Sequence, residues 1–326
     1  ETQKEEHQSY SVYEQAQRYR AAKAVLQDIY ALDAEHAEAV KALEQLWEEG
    51  YTVAAHQLGK FYRDDLSTLR DHAKAEQWFR RSAEAGNDFS EYALGKLLLT
   101  QKRWDEAMEW LDKAADHGSQ FAQYRLGKIY LTGEFVPKDV EKALAYLTAS
   151  ADQGNQFAQY ALGKLYLFGR DVPPDIFYGV RWLEAAAGQD DPSALALLGK
   201  EHLKGTRLPK DTEKALEYLQ YAIQKKSAYA AYILGRAYLN GVDLPLDLFQ
   251  AETLLQQSAD RGFEPAEYVL GREYATGERL LKNLPKAVEL LTRAAKKENN
   301  FAQYRLGKLF LKEPALYDVG KAIHWL

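Results

Sequence analysis

Residues 157–190 read FAQYALGKLYLFGRDVPPDIFYGVRWLEAAAGQD, and this stretch decides the fold. Its first part, from Phe157 to Phe168, has a helical pattern and stops at Gly169, a residue that accepts the left-handed backbone on which helices end. A loop with Pro173 follows, and proline breaks the first helix. Asp175 then stands near the start of a second helix, where a carboxylate caps free N–H groups.

The same punctuation recurs outward in both directions. Leu-Gly-Lys/Arg occurs eight times, with its glycine at Gly59, Gly95, Gly127, Gly163, Gly199, Gly235, Gly271 and Gly307. The spacings are 36, 32, 36, 36, 36, 36 and 36. Such regularity overrides the two or three domains that the length suggests. It predicts one quasi-linear array whose neighbouring repeats share a continuous core. The first-helix stop recurs as Gly133, Gly205, Gly241 and Gly277, and the cap as Asp139, Asp211 and Asp247. The second helix ends at Gly50, Gly86, Gly118, Gly154 or Gly262. A glycine inside a helix costs about 1 kcal/mol relative to alanine, so the eight motif glycines need a cause. We expect close approach of the second helix, small residue against small, with Ala83, Ala115, Ala151, Ala187, Ala259 and Ala295 opposite. Leu126, Leu162 and Leu234, with Tyr130, Tyr166 and Tyr238, are expected core.

The pattern A-x-x-x-L-G-x-x-Y, x-x-G, a loop ending in D, K-A-x-x-[WY]-L, A-A, G resembles the SEL-like repeat, a relative of the tetratricopeptide repeat. The resemblance covers residues 50–326 as eight units, the last cut short in its second helix. It implies an all-α solenoid, a superhelix of about 18 helices used as a protein-interaction scaffold. Residues 1–49 match poorly and read as a helical cap or degenerate repeat. Three departures stand out. The loop at 100–103 is four residues shorter. His202 replaces the expected tyrosine. Asp190, Lys226 and Glu298 replace the second-helix end glycine, which predicts less regular corners.

Composition narrows the chemistry. The chain has 326 residues, 46% hydrophobic and 28% charged, enough to build a core. It has no cysteine, which removes disulfide frameworks, zinc ribbons and thiol catalysis and fits a cytoplasmic setting. The net charge of -6 gives no general reason to expect nucleic-acid or membrane binding. No apolar run approaches the roughly 20 residues of a membrane helix. The chain starts at Glu1 without methionine, so the sequence is silent on targeting.

Catalytic groupings are not apparent. His7, His36, His56, His72, His117, His202 and His324 fall at unrelated phases, with no H-x-x-x-H pair, so no metal site is expected. The paired carboxylates Glu48/Glu49, Asp64/Asp65 and Asp190/Asp191 sit near helix ends or in loops and read as solvated caps. Every glycine is a helix end or a packing position, so there is no phosphate loop. We expect a non-catalytic chain without a cofactor.

What remains is surface chemistry in register. The residue after each motif glycine is basic, and a tyrosine usually stands four positions earlier, on the same helix face. The pairs are Tyr92/Lys96, Tyr124/Lys128, Tyr160/Lys164, Tyr232/Arg236, Tyr268/Arg272 and Tyr304/Lys308, and these are the candidate partner-binding residues. His56 and Ala196 stand where the tyrosine is missing. A further aromatic column, Phe89, Phe121, Phe157, Tyr229 and Phe301, lies three residues before, broken by Val53, Ser193 and Pro265. The resemblance implies that first helices line a concave surface, which makes the groove aromatic with a ladder of cations. Two readings of the stripe stand side by side. Rings and lysine stems pack neighbouring helices together, or they also bind a partner.

The expected function is therefore a scaffold or adaptor that holds an extended or helical protein or peptide of acidic character. The alternative comes from a second resemblance. The near-copies from Ala122 to Gly169 are similar to SEL-like arrays appended to mobilisation relaxases of Gram-positive bacteria. That implies an accessory tail contacting nucleic acid or transfer machinery, with single-stranded DNA stacked on the stripe.

Overall fold

The computed structural model describes the backbone of residues 2–64 and 70–326, and the side chains of residues 11–64 and 70–326. His7 and Asp65 lie outside the described side chains. Among the described residues there are 18 α-helices, one short 3-10 turn at Pro314–Leu316, and no strand. Two helices come first, α1 (Thr2–Gln27) and α2 (Asp33–Glu48). Helix pairs follow: α3 (Val53–Asp64) with α4 (His72–Glu84), α5 (Asp88–Thr100) with α6 (Trp104–Asp116), and α7 (Gln120–Thr132) with α8 (Val140–Asp152). These belong to one compact unit, Glu1–Asn155. A second unit, Gln156–Leu326, holds α9 (Gln156–Phe168), α10 (Ile176–Ala187), α11 (Pro192–Lys204), α12 (Thr212–Gln224), α13 (Ala228–Asn240), α14 (Leu248–Asp260), α15 (Glu264–Thr276), α16 (Leu284–Lys296), α17 (Asn300–Lys312) and α18 (Val319–Trp325).

Local chemistry sets the helix limits as the sequence suggests. Asp139, Asp175, Asp211 and Asp247 each accept a backbone N–H three residues on, at 3.0 Å. The loop is also tied backwards: the backbone N–H of Asp139, Asp175, Asp211 and Asp247 donates to the carbonyl of Tyr130, Tyr166, His202 and Tyr238. His202 fills the tyrosine position without loss, its ring stacked on Tyr218 at 6.1 Å as Tyr130 stacks on Tyr146 at 6.0 Å. One apolar loop residue per repeat, Val172, Leu208, Leu244 or Leu280, plugs into the core.

Three expectations need correction. First, the motif glycines do not face alanine. A Cβ on Gly163 would lie 2.5 Å from Leu183 Cγ, and one on Gly127 2.7 Å from Leu147 Cγ. The pairing is small against large: a leucine of the second helix, or Phe79 at Gly59, drops into the notch that the missing side chain leaves. Second, the corners at Asp190, Lys226 and Glu298 are regular in course, because these residues take φ of 64°, 66° and 66° in the glycine's place. Third, Asp191 is no solvated cap: it is buried, and accepts the Ala194 N–H at 2.8 Å.

Leu126, Leu162 and Leu234 are buried as expected, while Tyr130, Tyr166 and Tyr238 are only half-buried. In the C-terminal unit the core is three successive clusters rather than one. Half-buried Tyr238 packs against both the first and the second, and Tyr268 against both the second and the third.

Candidate functional site

The stripe forms as ring-and-cation pairs along the first helices. Lys96 sits 5.4 Å from the Tyr92 ring centre, Lys164 5.6 Å from Tyr160, and Arg236 5.7 Å from Tyr232. Arg272 sits 5.8 Å from Tyr268 and Lys308 4.5 Å from Tyr304. Each pair spans one helical turn, the four-residue spacing that places side chains on one face. Tyr124 and Lys128 occupy the same positions on α7, Tyr124 half-buried and Lys128 exposed. The tyrosines are half-buried except Tyr304, which is exposed. Burial raises the phenol pKa of Tyr92 and Tyr160 above its ordinary value. The hydrogen bond with Lys308 lowers that of Tyr304.

Rings also meet from one first helix to the next. Tyr92 stacks on Phe121 at 6.0 Å within the N-terminal unit. In the C-terminal unit Tyr268 tilts against Phe301 at 6.3 Å, and Phe263, just ahead of α15, meets Tyr232 at 5.2 Å. The packing role of the stripe is therefore real, and the question is what it leaves open.

It leaves two grooves in the C-terminal unit. A groove of about 300 Å³ lies between α11 and α13, with Lys200, Lys204 and Arg236 around Tyr229, Tyr232 and Ala237. A second, of about 400 Å³, lies between α15 and α17, with Arg305, Lys308 and Lys312 around Tyr304 and Ala275. Both floors have the same origin. Ala237 stands two residues after its motif glycine, where other repeats carry Phe61, Leu97, Ile129, Leu165, Glu201, Glu273 or Leu309. Ala275 stands four after, where the others carry Leu99, Leu131, Leu167, Leu203, Leu239, Leu311 or Arg63. In each case a large side chain has been replaced by a methyl group.

Several of the cations at these grooves are held by tyrosines, not by acids. Lys200 Nζ donates to the Tyr229 hydroxyl at 3.1 Å, and Arg236 to the Tyr232 hydroxyl at 3.0 Å. Arg305 Nε donates to the Tyr268 hydroxyl at 3.1 Å. Among the described residues no carboxylate pairs with Lys200, Lys204, Arg236, Lys308 or Lys312. Arg272 differs: it donates to buried Glu273 at 3.1 Å. No cluster of three potential metal ligands occurs among the described residues. No helix among them is long and apolar enough to cross a membrane.

The Sel1 repeat family model matches residues 52–87, 105–119, 120–155, 156–191, 192–227, 228–263, 265–299 and 300–326. The chain belongs to the Sel1 repeat family. Two solved structures of Sel1-type proteins are similar to it. One is c5321, a protective antigen of uropathogenic Escherichia coli with the SLR fold: TM-score 0.69, 27% identity, over 88% of this chain and 62% of the antigen's. The other is a Sel1 repeat protein from Oxalobacter formigenes: TM-score 0.69, 28% identity, over 93% of this chain and 88% of that one. The chain thus spans about three fifths of the antigen's length. No curated protein matches it. Sel1 repeats generally act as protein-interaction scaffolds.

A second repeated device in these Sel1 repeats escapes a motif reading. The residue just before the stripe tyrosine joins the C-terminal end of the second helix in the same repeat. Gln153 donates to Gln123 at 2.7 Å, Gln189 to Gln159 at 2.9 Å, and Lys297 to buried Glu267 at 2.9 Å. His117 Nδ1 lies 2.8 Å from buried Glu91. The partners change together, Gln with Gln and Glu with a base, and that covariation is the sequence signal for the contact. Lys204, Arg305 and Lys312 line the grooves and are not singled out by the sequence pattern, while Lys200 and Tyr229 stand in its basic and aromatic columns without being among the candidate partner-binding residues. They come together only beside an alanine floor.

Proposed function

We propose that this chain is a scaffold that holds an acidic segment of another protein in the grooves between its first helices. The single observation that carries this reading is the set of groove cations without carboxylate partners. Like charges this close repel one another, since adjacent helices stand about 8–10 Å apart, within reach of a Debye length of about 8 Å. An acidic partner removes that repulsion, and the alanine floors supply apolar contact beside it. Charge complementarity of this kind governs association rate and specificity.

The test is anisotropy of a labelled twelve-residue glutamate–glycine peptide at low ionic strength. The protein should bind it, and Lys200→Glu with Arg236→Glu and Lys308→Glu should weaken binding at least tenfold. The melting temperature should change far less than the affinity, because these half-buried cations pair with no carboxylate in the fold and keep their heads at the groove surface. No binding of the acidic peptide by the unaltered protein would overturn the reading.

A further inference from the structure

We propose that the C-terminal unit grips one extended acidic segment at two points, and so selects partners whose acidic side chains stand about six residues apart. This rests on the reading above and adds a spacing rule to it.

The ladder of cations is regular in sequence but not in charge. Lys200, Lys204 and Arg236 gather at the α11/α13 groove, and Arg305, Lys308 and Lys312 at the α15/α17 groove. The rung between them is tied up in ion pairs. Arg272 is held by Glu273 at 3.1 Å, and Glu273 also takes Arg279 at 2.5 Å. Each groove contains one carboxylate, and each of these is drawn to a lysine from outside the groove. Asp243 lies 3.7 Å from Lys210, and Glu313 is 3.0 Å from Lys282. Cations without a carboxylate partner therefore face a ligand at two places, with an ion-paired stretch between.

The two grooves are separated by two repeats. At about 8–10 Å per adjacent helix, the separation is about 16–20 Å. An extended chain covers about 3.3 Å per residue, which places the gripped side chains about five or six positions apart. A nucleic-acid strand fits less well. Its phosphates recur at every nucleotide, whereas the cations here are clustered. The tyrosine rings are also occupied by their own cations, Arg236 over Tyr232 and Lys308 over Tyr304.

The experiment is calorimetric titration of the full chain with glycine–serine peptides carrying two Glu-Glu clusters whose first residues stand three, six or twelve positions apart, with a one-cluster peptide as reference. The six-residue spacing should bind at least tenfold more tightly than the one-cluster peptide, from the effective concentration of the second cluster. Ala237→Leu or Ala275→Leu, each filling one groove floor, should remove that advantage. Lys204→Ala with Lys312→Ala, both on the surface, should reduce it without touching the core. Equal affinity for all spacings would overturn the two-point grip and leave the scaffold reading standing. Binding of no acidic peptide at all would overturn both. Tighter binding of an oligothymidylate, with a steep salt dependence, would overturn both in favour of nucleic acid.

Discussion

The two units carry the same repeat and use it differently. In the N-terminal unit rings close the space between first helices: Tyr92 lies on Phe121, and His56 stands 6.3 Å from Phe89. In the C-terminal unit two positions that hold large side chains elsewhere hold Ala237 and Ala275, and grooves open over them. The corners between repeats differ in the opposite sense. The N-terminal unit turns on Gly50, Gly86, Gly118 and Gly154, while the C-terminal unit turns on Asp190, Lys226, Gly262 and Glu298. In a repeat protein the shared residues build the array, so binding must be sought where one repeat departs from the others.

The largest expected effect tests what the units share. Gly59 and Gly163 each receive a large side chain, with virtual Cβ contacts of 2.5 Å to Phe79 and to Leu183. Gly59→Leu and Gly163→Leu should each cost about 3 kcal/mol or more, at the upper end of overpacking. The loss should appear as a lowered melting temperature by circular dichroism. Unchanged melting in one variant but not the other would show that the notch is not common to both units.

Much of this architecture was legible before any coordinates. The period, the left-handed glycines such as Gly133 and the aspartate caps such as Asp211 follow from local chemistry, and local chemistry is what a sequence displays most directly. The motif glycines read as contact points in the sequence, but the residues opposite them do not. Which residue faces Gly163 depends on how the helices cross, and both Ala187 and Leu183 lie on the second helix. The stripe pairs were legible from spacing alone. The ion-paired rung was not, because Arg272 and Glu273 are adjacent, and neighbours in a helix usually point apart. The grooves were hidden for a further reason: a single alanine is unremarkable until its column is aligned across eight repeats.

A smaller effect separates the units by pH. In the N-terminal unit burial pushes the His56 imidazole from 6.5 to about 4, helped by the nearby charges of Lys60 and Arg63. Its Nδ1 lies 2.6 Å from Ser90 Oγ, which donates to Ser82. His56 is thus neutral in the folded chain, while in the unfolded chain it takes a proton below pH 6.5. The stabilisation is fully present above pH 6.5 and is lost as pH falls toward 4. Between pH 7 and pH 5 this amounts to about 2 kcal/mol. His56→Gln should flatten the decline in melting temperature over that range. An equally steep decline in the variant would place the acid sensitivity elsewhere.

The smallest effect concerns the corners, and it distinguishes three residues that look alike by backbone. Asp190, Lys226 and Glu298 all hold φ of 64–66°, where a Cβ is crowded and glycine is at ease. Lys226→Gly and Glu298→Gly should therefore stabilise the C-terminal unit, each by about 0.5–1 kcal/mol after the extra freedom glycine gives the unfolded chain. Asp190→Gly should not. The Asp190 carboxylate accepts the Tyr221 hydroxyl at 2.5 Å and the Lys225 ammonium at 2.9 Å, bonds that hold its pKa below the ordinary range. Those bonds join α12 to the corner before α11, so glycine there relieves strain at the expense of a contact between elements. Chemical denaturation of the three single variants checks this. A gain at all three positions would mean that backbone strain alone decides the corner. A gain at Lys226 and Glu298 with none at Asp190 would mean that this corner keeps its aspartate for the bonds its side chain makes.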